Sequence, residues 1–154
     1  MLEFDEATAR QLEIAYQGAD IVQRRRASFD AIDAQPDETI VDIGCGNGLL
    51  TAELARAVGP AGKIIGVDPS HAMRSAATLR CQNMPWVALH DGLASALPVA
   101  DGSADKAAAL QLFEYLPDLT APLNDAFRVL RSGGRLGVAD IHFDSWIWHS
   151  DNPA

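Results

Sequence analysis

Apolar residues recur along this chain at two alternating spacings. Residues 39–43, 63–67, 86–89, 104–112 and 135–141 form short, largely apolar runs of strand length. The run Ala107-Ala108-Ala109 inside the fourth has weak β propensity. Between these runs, apolar positions fall three or four apart. Leu50, Leu54 and Val58 line one helix, which Gly59-Pro60 stops. Ser70 caps a second that runs toward Asn83, with Met73, Ala76 and Ala77 facing inward. Leu123, Phe127 and Leu130 mark a third, ended by Gly133-Gly134. Upstream, Asp5 and Asp20 are N-caps for two further helices, and Gln23, three after Asp20, completes a capping-box pattern. In the second of these, Ile21 or Val22, Arg25, Phe29 and Ile32 recur at helical spacing, and Pro36 ends it. Strands alternating with helices predict a parallel α/β sheet with ligands at the strands' carboxyl ends.

Composition fits one soluble domain. The chain has 154 residues, 48% of them apolar, which is enough for a proper core and argues against disorder. No apolar run approaches the roughly 20 residues of a membrane helix. The acidic start, Met1 to Glu6, lacks signal-peptide architecture. Cys45 and Cys81 make no disulfide framework and read as reduced thiols, so the cytoplasm is the expected compartment. The net charge of −9 argues against a nucleic-acid partner, since the one basic cluster is Arg24-Arg25-Arg26 on a predicted helix. The four histidines, His71, His90, His142 and His149, show no metal-ligand spacing.

The chemistry concentrates after the first strand, in Val41-Asp42-Ile43-Gly44-Cys45-Gly46-Asn47-Gly48. Glycine accepts positive φ and lets a ligand approach the main chain. The helix that follows aims free N–H groups and its positive dipole end at the loop. A dinucleotide fingerprint wants glycine or alanine five residues after its first glycine, but that position is Leu49. Asp42, two residues before Gly44, would repel a pyrophosphate and suits a cationic group, such as the amino end of a methionine moiety.

The loop resembles the acid-x-Gly-x-Gly-x-Gly motif of the class I S-adenosylmethionine (SAM)-dependent methyltransferases, nearest in look to the type-11 and quinone-biosynthesis members. Four more stretches agree with that family in order: 63–68 ending in Asp68, Leu89-His90-Asp91-Gly92, Gln111 to Leu116, and Phe127 to Leu136. The resemblance covers roughly residues 37–141. It implies a Rossmann-like, doubly wound sheet of about five strands in order 3-2-1-4-5, helices on both faces, and SAM as cofactor. Residue by residue, it implies Asp42 near the SAM amino end, with Gly44, Cys45, Gly46 and Gly48 lining the methionine and ribose. Asp68 would accept from both ribose hydroxyls. Asp91 and Gly92 would meet the adenine edge, Pro69 and Met73 its face, and Gln111 and Phe113 the region over the methyl group. Asp42 and Asp68 could instead be loop or helix caps, Asp91-Gly92 a simple turn, and Met73 or Phe113 core.

The same resemblance implies that residues 1–36 form a helical segment closing over the cofactor, with Tyr16 and Arg25 as contacts. Arg25 would match the SAM carboxylate bidentately; the arginine run could equally be a solvated face. Methyl transfer needs alignment more than side-chain chemistry, and a general base only if the acceptor loses a proton. Glu114, His142 and Asp144 are the candidates, with Asp140 and His149 beside them. The cofactor core is expected over 37–142. The family adds two more strands there, whereas here an aromatic tail, 143–154, follows. That tail reads as the start of a missing substrate part. Alternatively, the fifth-strand edge pairs with another copy as a homodimer, or the tail covers it with Trp146 and Trp148. The expected function is methyl transfer from SAM to a small-molecule acceptor. The rival is a non-catalytic SAM- or nucleoside-binding module or an inactive fragment, and an NAD-dependent reductase is a third reading that Leu49 opposes.

Overall fold

The computed structural model describes residues 6–140. In chain order these form α1 (Glu6–Ala15), α2 (Ala19–Ile32), β1 (Thr39–Ile43), α3 (Leu49–Val58), β2 (Lys63–Val67), α4 (His71–Arg80), β3 (Val87–His90), β4 (Ala104–Leu110), α5 (Thr120–Val129) and β5 (Leu130–Ala139). A 3-10 turn, Phe113–Tyr115, follows β4. The strands make one five-stranded sheet in order β3-β2-β1-β4-β5, with every pairing parallel.

Strand alternation divides the core in two. Val41, Ile43, Ile65, Val67, Ala107 and Ala109 face α5, where Ala126 and Val129 meet them. Ile40, Ile64 and Ala108 face the other way, onto Ile32 of α2 and Leu50, Leu54 and Val58 of α3. The alanine run in β4 is what lets helices approach both faces of the central strands. Asp42 lies on the α3 side and is buried, an acid inside an otherwise apolar strand.

The limits of β1 and β2 agree with the sequence reading, and Ser70 caps α4 by accepting from the Met73 N–H at 3.3 Å. Several local expectations need correction. Asp20 is not the cap of α2: Gly18 holds that position without a side-chain bond, and Asp20 sits in the first turn, where it pairs with Arg24. The capping box with Gln23 falls with it, while Asp5 lies outside the described residues. Helix α2 ends at Ile32, before Pro36, because Asp33 turns left-handed at φ 53°. Helix α4 stops at Arg80, and β3 is shifted by one residue to Val87–His90. Helix α5 ends at Val129 rather than at Gly133-Gly134, and Phe127 is 62% exposed instead of facing the core.

Cys45 and Cys81 are separate buried thiols. Each residue of the arginine cluster meets an acid: Arg24 with Asp20, Arg25 with Glu53 and Arg26 with Asp30. Among the described residues no helix is long and apolar enough to cross a membrane, and β5 pairs only with β4.

Candidate functional site

The chain reverses its strand order between β1 and β4, the place where open α/β sheets bind ligands. The loop 44–48 leaves β1 there with Gly44, Gly46 and Gly48 at φ 70°, 52° and 79°, all left-handed. Each glycine has a different reason. A Cβ on Gly44 would meet Leu112 at 2.9 Å, and one on Gly48 would meet Ala77 of α4 at 2.8 Å. At Gly46 nothing lies within 4 Å. Gly48 is therefore a packing glycine between α3 and α4, and Gly46 is the one whose missing side chain leaves room for a ligand.

Beside Gly46 lies a cavity of about 270 Å³. Of the residues expected at the cofactor, Tyr16, Arg25, Asp42, Gly44, Cys45, Gly46, Asp68, Pro69, Met73 and Gln111 line it. Gly48, Asp91, Gly92 and Glu114 are not among the lining residues. Asp91 is held outside by an ion pair with Arg74 at 2.7 Å and is largely solvated. Gly92 packs instead, since a Cβ there would meet Val67 at 2.9 Å and Pro98 at 3.0 Å. Glu114 sits half-buried on the 3-10 turn between lining residues Leu112 and Tyr115. Phe113 is core. His142, Asp144 and His149 lie outside the described residues.

Two carboxylates dominate the polar wall. Asp68 Oδ2 accepts the Gly46 N–H at 2.9 Å, and Oδ1 accepts the Ser70 N–H at 2.8 Å. Asp68 thus fixes the glycine loop from the end of β2. Burial pushes its pKa up, against the pull of those two N–H groups and of Arg74. Asp42 accepts the Thr51 hydroxyl at 2.6 Å, and burial raises its pKa to about 6, with the charge of Asp68 adding to the rise. Burial likewise raises the Tyr16 phenol, helped by Asp68 and Glu114, so it stays a donor at neutral pH. It also holds the Cys45 thiol far above its usual range, which removes it as a nucleophile. Asp140 accepts the Leu112 N–H at 2.8 Å, and its pKa is raised, chiefly by burial.

A pH-dependent stability follows from Asp42. Its folded-state pKa is above the unfolded value, so the ionised form opposes folding above about pH 6, and the penalty fades as pH falls toward about 4. Asp42→Asn keeps the Thr51 partner and is expected to be more stable than wild type by roughly 1–3 kcal/mol at about pH 7.5. Urea melts at several pH values check this; a gain that grows toward acid pH would refute it.

Sequence reasoning missed Asn47, Glu13 and Arg80, which join the loop to α1 and α4, and the apolar wall of Leu12, Ile21, Leu49, Leu112, Tyr115 and Leu116. Gln111 was found, but not its left-handed backbone at φ 52°, held by its N–H bonding to Ala139 O at 2.7 Å.

A family profile described as a methyltransferase domain matches residues 41–138. The chain belongs to the class I SAM-dependent methyltransferases. The family's cofactor is SAM. A 37.1 kDa uncharacterized protein of a Streptomyces fradiae transposon is 41% identical over 117 residues, 76% of this chain and 34% of that protein. The demethylmenaquinone methyltransferase of Desulfitobacterium hafniense is 35% identical over 120 residues, 76% of this chain and 47% of that enzyme. The chain thus spans a third to a half of the curated relatives it matches. A SAM-dependent methyltransferase structure from Aquifex aeolicus superposes with a TM-score of 0.77 at 18% identity, covering 99% of this chain and 79% of that one. At that identity the likeness establishes the fold of this methyltransferase-family chain.

Proposed function

We propose that this chain binds SAM in the cavity beside Gly46 and transfers its methyl group to a small-molecule acceptor by in-line displacement. The observation that carries the reading is the convergence on one cavity of an open glycine backbone and two buried carboxylates. Each Asp68 oxygen accepts one backbone N–H and keeps capacity for another donor, which suits a pair of vicinal hydroxyls. Asp42 supplies negative charge toward an ammonium, and Arg25, whose Nε already donates to Glu53 at 2.8 Å, has further guanidinium N–H groups for the carboxylate. Pro69, Ser70 and Met73 offer the adenine a wall, with Asp91 and Gly92 near its edge only if the rim shifts.

Bound SAM supplies the activated methyl on its sulfonium. The chain's own residues align the acceptor and exclude water. Gln111, on the cavity wall, is assigned to the acceptor end, and Glu114, His142 and Asp144 are the candidate bases for an acceptor that must lose a proton, Glu114 lying beside the wall rather than on it. The apolar wall of Leu12, Ile21, Leu112 and Leu116 favours an apolar acceptor, in keeping with the quinone-type substrate named for the Desulfitobacterium relative. A nucleic-acid acceptor is disfavoured because the arginine cluster is matched by acids and the net charge is −9. In this reading residues 1–36 close the site, 37–142 form the cofactor core, and 143–154 open the substrate part. The cytoplasm is the compartment, and the outer edge of β5 is the place for a second copy, which sedimentation would read.

Calorimetric titration of SAM into the chain tests the proposal, with micromolar binding expected. A folded chain that gives no heat and no rise in melting temperature with excess SAM would overturn it. The rival reading is a SAM-binding module without turnover. S-adenosylhomocysteine formation with a demethylated naphthoquinol as the acceptor would exclude that rival.

A further inference from the structure

Leu12 of α1 and Tyr16 just after it, four residues apart, roof the cavity. None of residues 11–15 is buried, and Ile14 is 77% exposed. A helix of ten residues is marginal by itself in water. Polar contacts attach it. Glu13 Oε2 accepts from Asn47 Nδ2 at 2.5 Å, and Glu13 Oε1 accepts from the Arg80 guanidinium at 2.5 Å. Arg80 Nε closes the triangle by donating to the backbone oxygen of Asn47 at 2.9 Å. Asn47 is itself buried, between Gly46 and Gly48. One carboxylate on the roof therefore grips both the cofactor loop and the last turn of α4.

We propose that Glu13, Asn47 and Arg80 are positioning residues that clasp α1 onto the glycine loop and set how long SAM stays bound. The proposal rests on the SAM reading above. Lifting α1 to release the cofactor breaks a charge-assisted contact at each Glu13 oxygen. The Glu13 and Arg80 side chains are 34% and 25% exposed, so dissolved ions reach the pair and weaken it. Asn47 transmits the same strain to the loop, because its side chain and its carbonyl are both held from outside the cavity.

The test is the dissociation rate of SAM from the full chain, by stopped flow at low and high salt, beside amide exchange over α1. Wild type is expected to release SAM faster as salt rises. Glu13→Gln keeps the side chain's size and is expected to release SAM about tenfold faster, with the salt dependence gone and α1 amides exchanging faster. Glu13→Lys combined with Arg80→Glu is expected to recover slow release relative to either single reversal. A wild type that binds SAM while Glu13→Gln releases it at the same rate, with α1 protection unchanged, overturns the clasp and leaves the cofactor reading standing. A wild type that does not bind SAM overturns both, and the wild-type measurement tells the two failures apart. Glu13 lies outside the core clusters, so Glu13→Gln is expected to keep the wild-type far-ultraviolet spectrum.

Discussion

Asp68→Ala will lose SAM binding by about two to four orders of magnitude while the chain stays folded. The side chain is buried at the end of β2, and both oxygens already hold main-chain N–H groups, of Gly46 and of Ser70. Alanine removes the ligand's acceptors and releases the loop that shapes the cavity. A hydrogen bond to a charged group contributes about 1.5–3 kcal/mol, and two such bonds to the ribose convert to roughly a hundredfold to ten-thousandfold in affinity. Asp68→Asn separates the two losses, since it keeps the shape and one acceptor but no charge, and an intermediate affinity is expected. Calorimetry with circular dichroism on the same samples reads both. Binding by Asp68→Ala within tenfold of wild type would sink the ribose role, whatever became of the rest of the site.

The parts of this molecule that could be read from sequence are those fixed by local rules. Strands β1 and β2 are short apolar runs bounded by turn residues, and their limits matched. Ser70 precedes its helix with a side chain of capping length, and it caps. Phe127 went astray because the buried stripe of α5 runs through Pro122, Ala126 and Val129, small residues with a weak apolar signal, one position away. Asp20 went astray because Arg24, one turn on, captures its carboxylate. The glycine loop announced the cavity, but its outer support did not show. Asn47 and Arg80 lie 34 and 67 residues along the chain from Glu13, and no local spacing links the three. Asp91 illustrates the same limit, since its partner Arg74 sits on a different element and holds it at the rim. What the sequence could not carry is thus long-range polar pairing, where geometry alone decides which of several acids a given arginine meets.

Alanine at two glycines of one loop will separate stability from binding. Gly46 and Gly48 both hold left-handed backbones, so either substitution carries a strain of about 1–2 kcal/mol. At Gly48 the new methyl would lie 2.8 Å from Ala77 Cβ and 2.9 Å from Ala77 Cα. Those atoms belong to a helix and a short side chain, with no flexible end to move, so α3 and α4 must part. Overpacking of that kind costs about 1–3 kcal/mol, which brings Gly48→Ala to about 2–5 kcal/mol in all, a large share of a stability on the order of 5–15 kcal/mol. Its melting temperature is expected to fall by roughly 5–15 °C. At Gly46 the methyl meets no protein atom and enters the space that the cavity uses. Gly46→Ala is expected to melt within a few degrees of wild type, at the cost of backbone strain alone, and to bind SAM at least about tenfold more weakly, because the methyl occupies room the ligand needs. Thermal melts and SAM titrations on the two variants check both halves. Equal losses of stability would show that Gly48 is not the packing glycine, and unchanged binding by Gly46→Ala would move the ligand away from the open side of the loop.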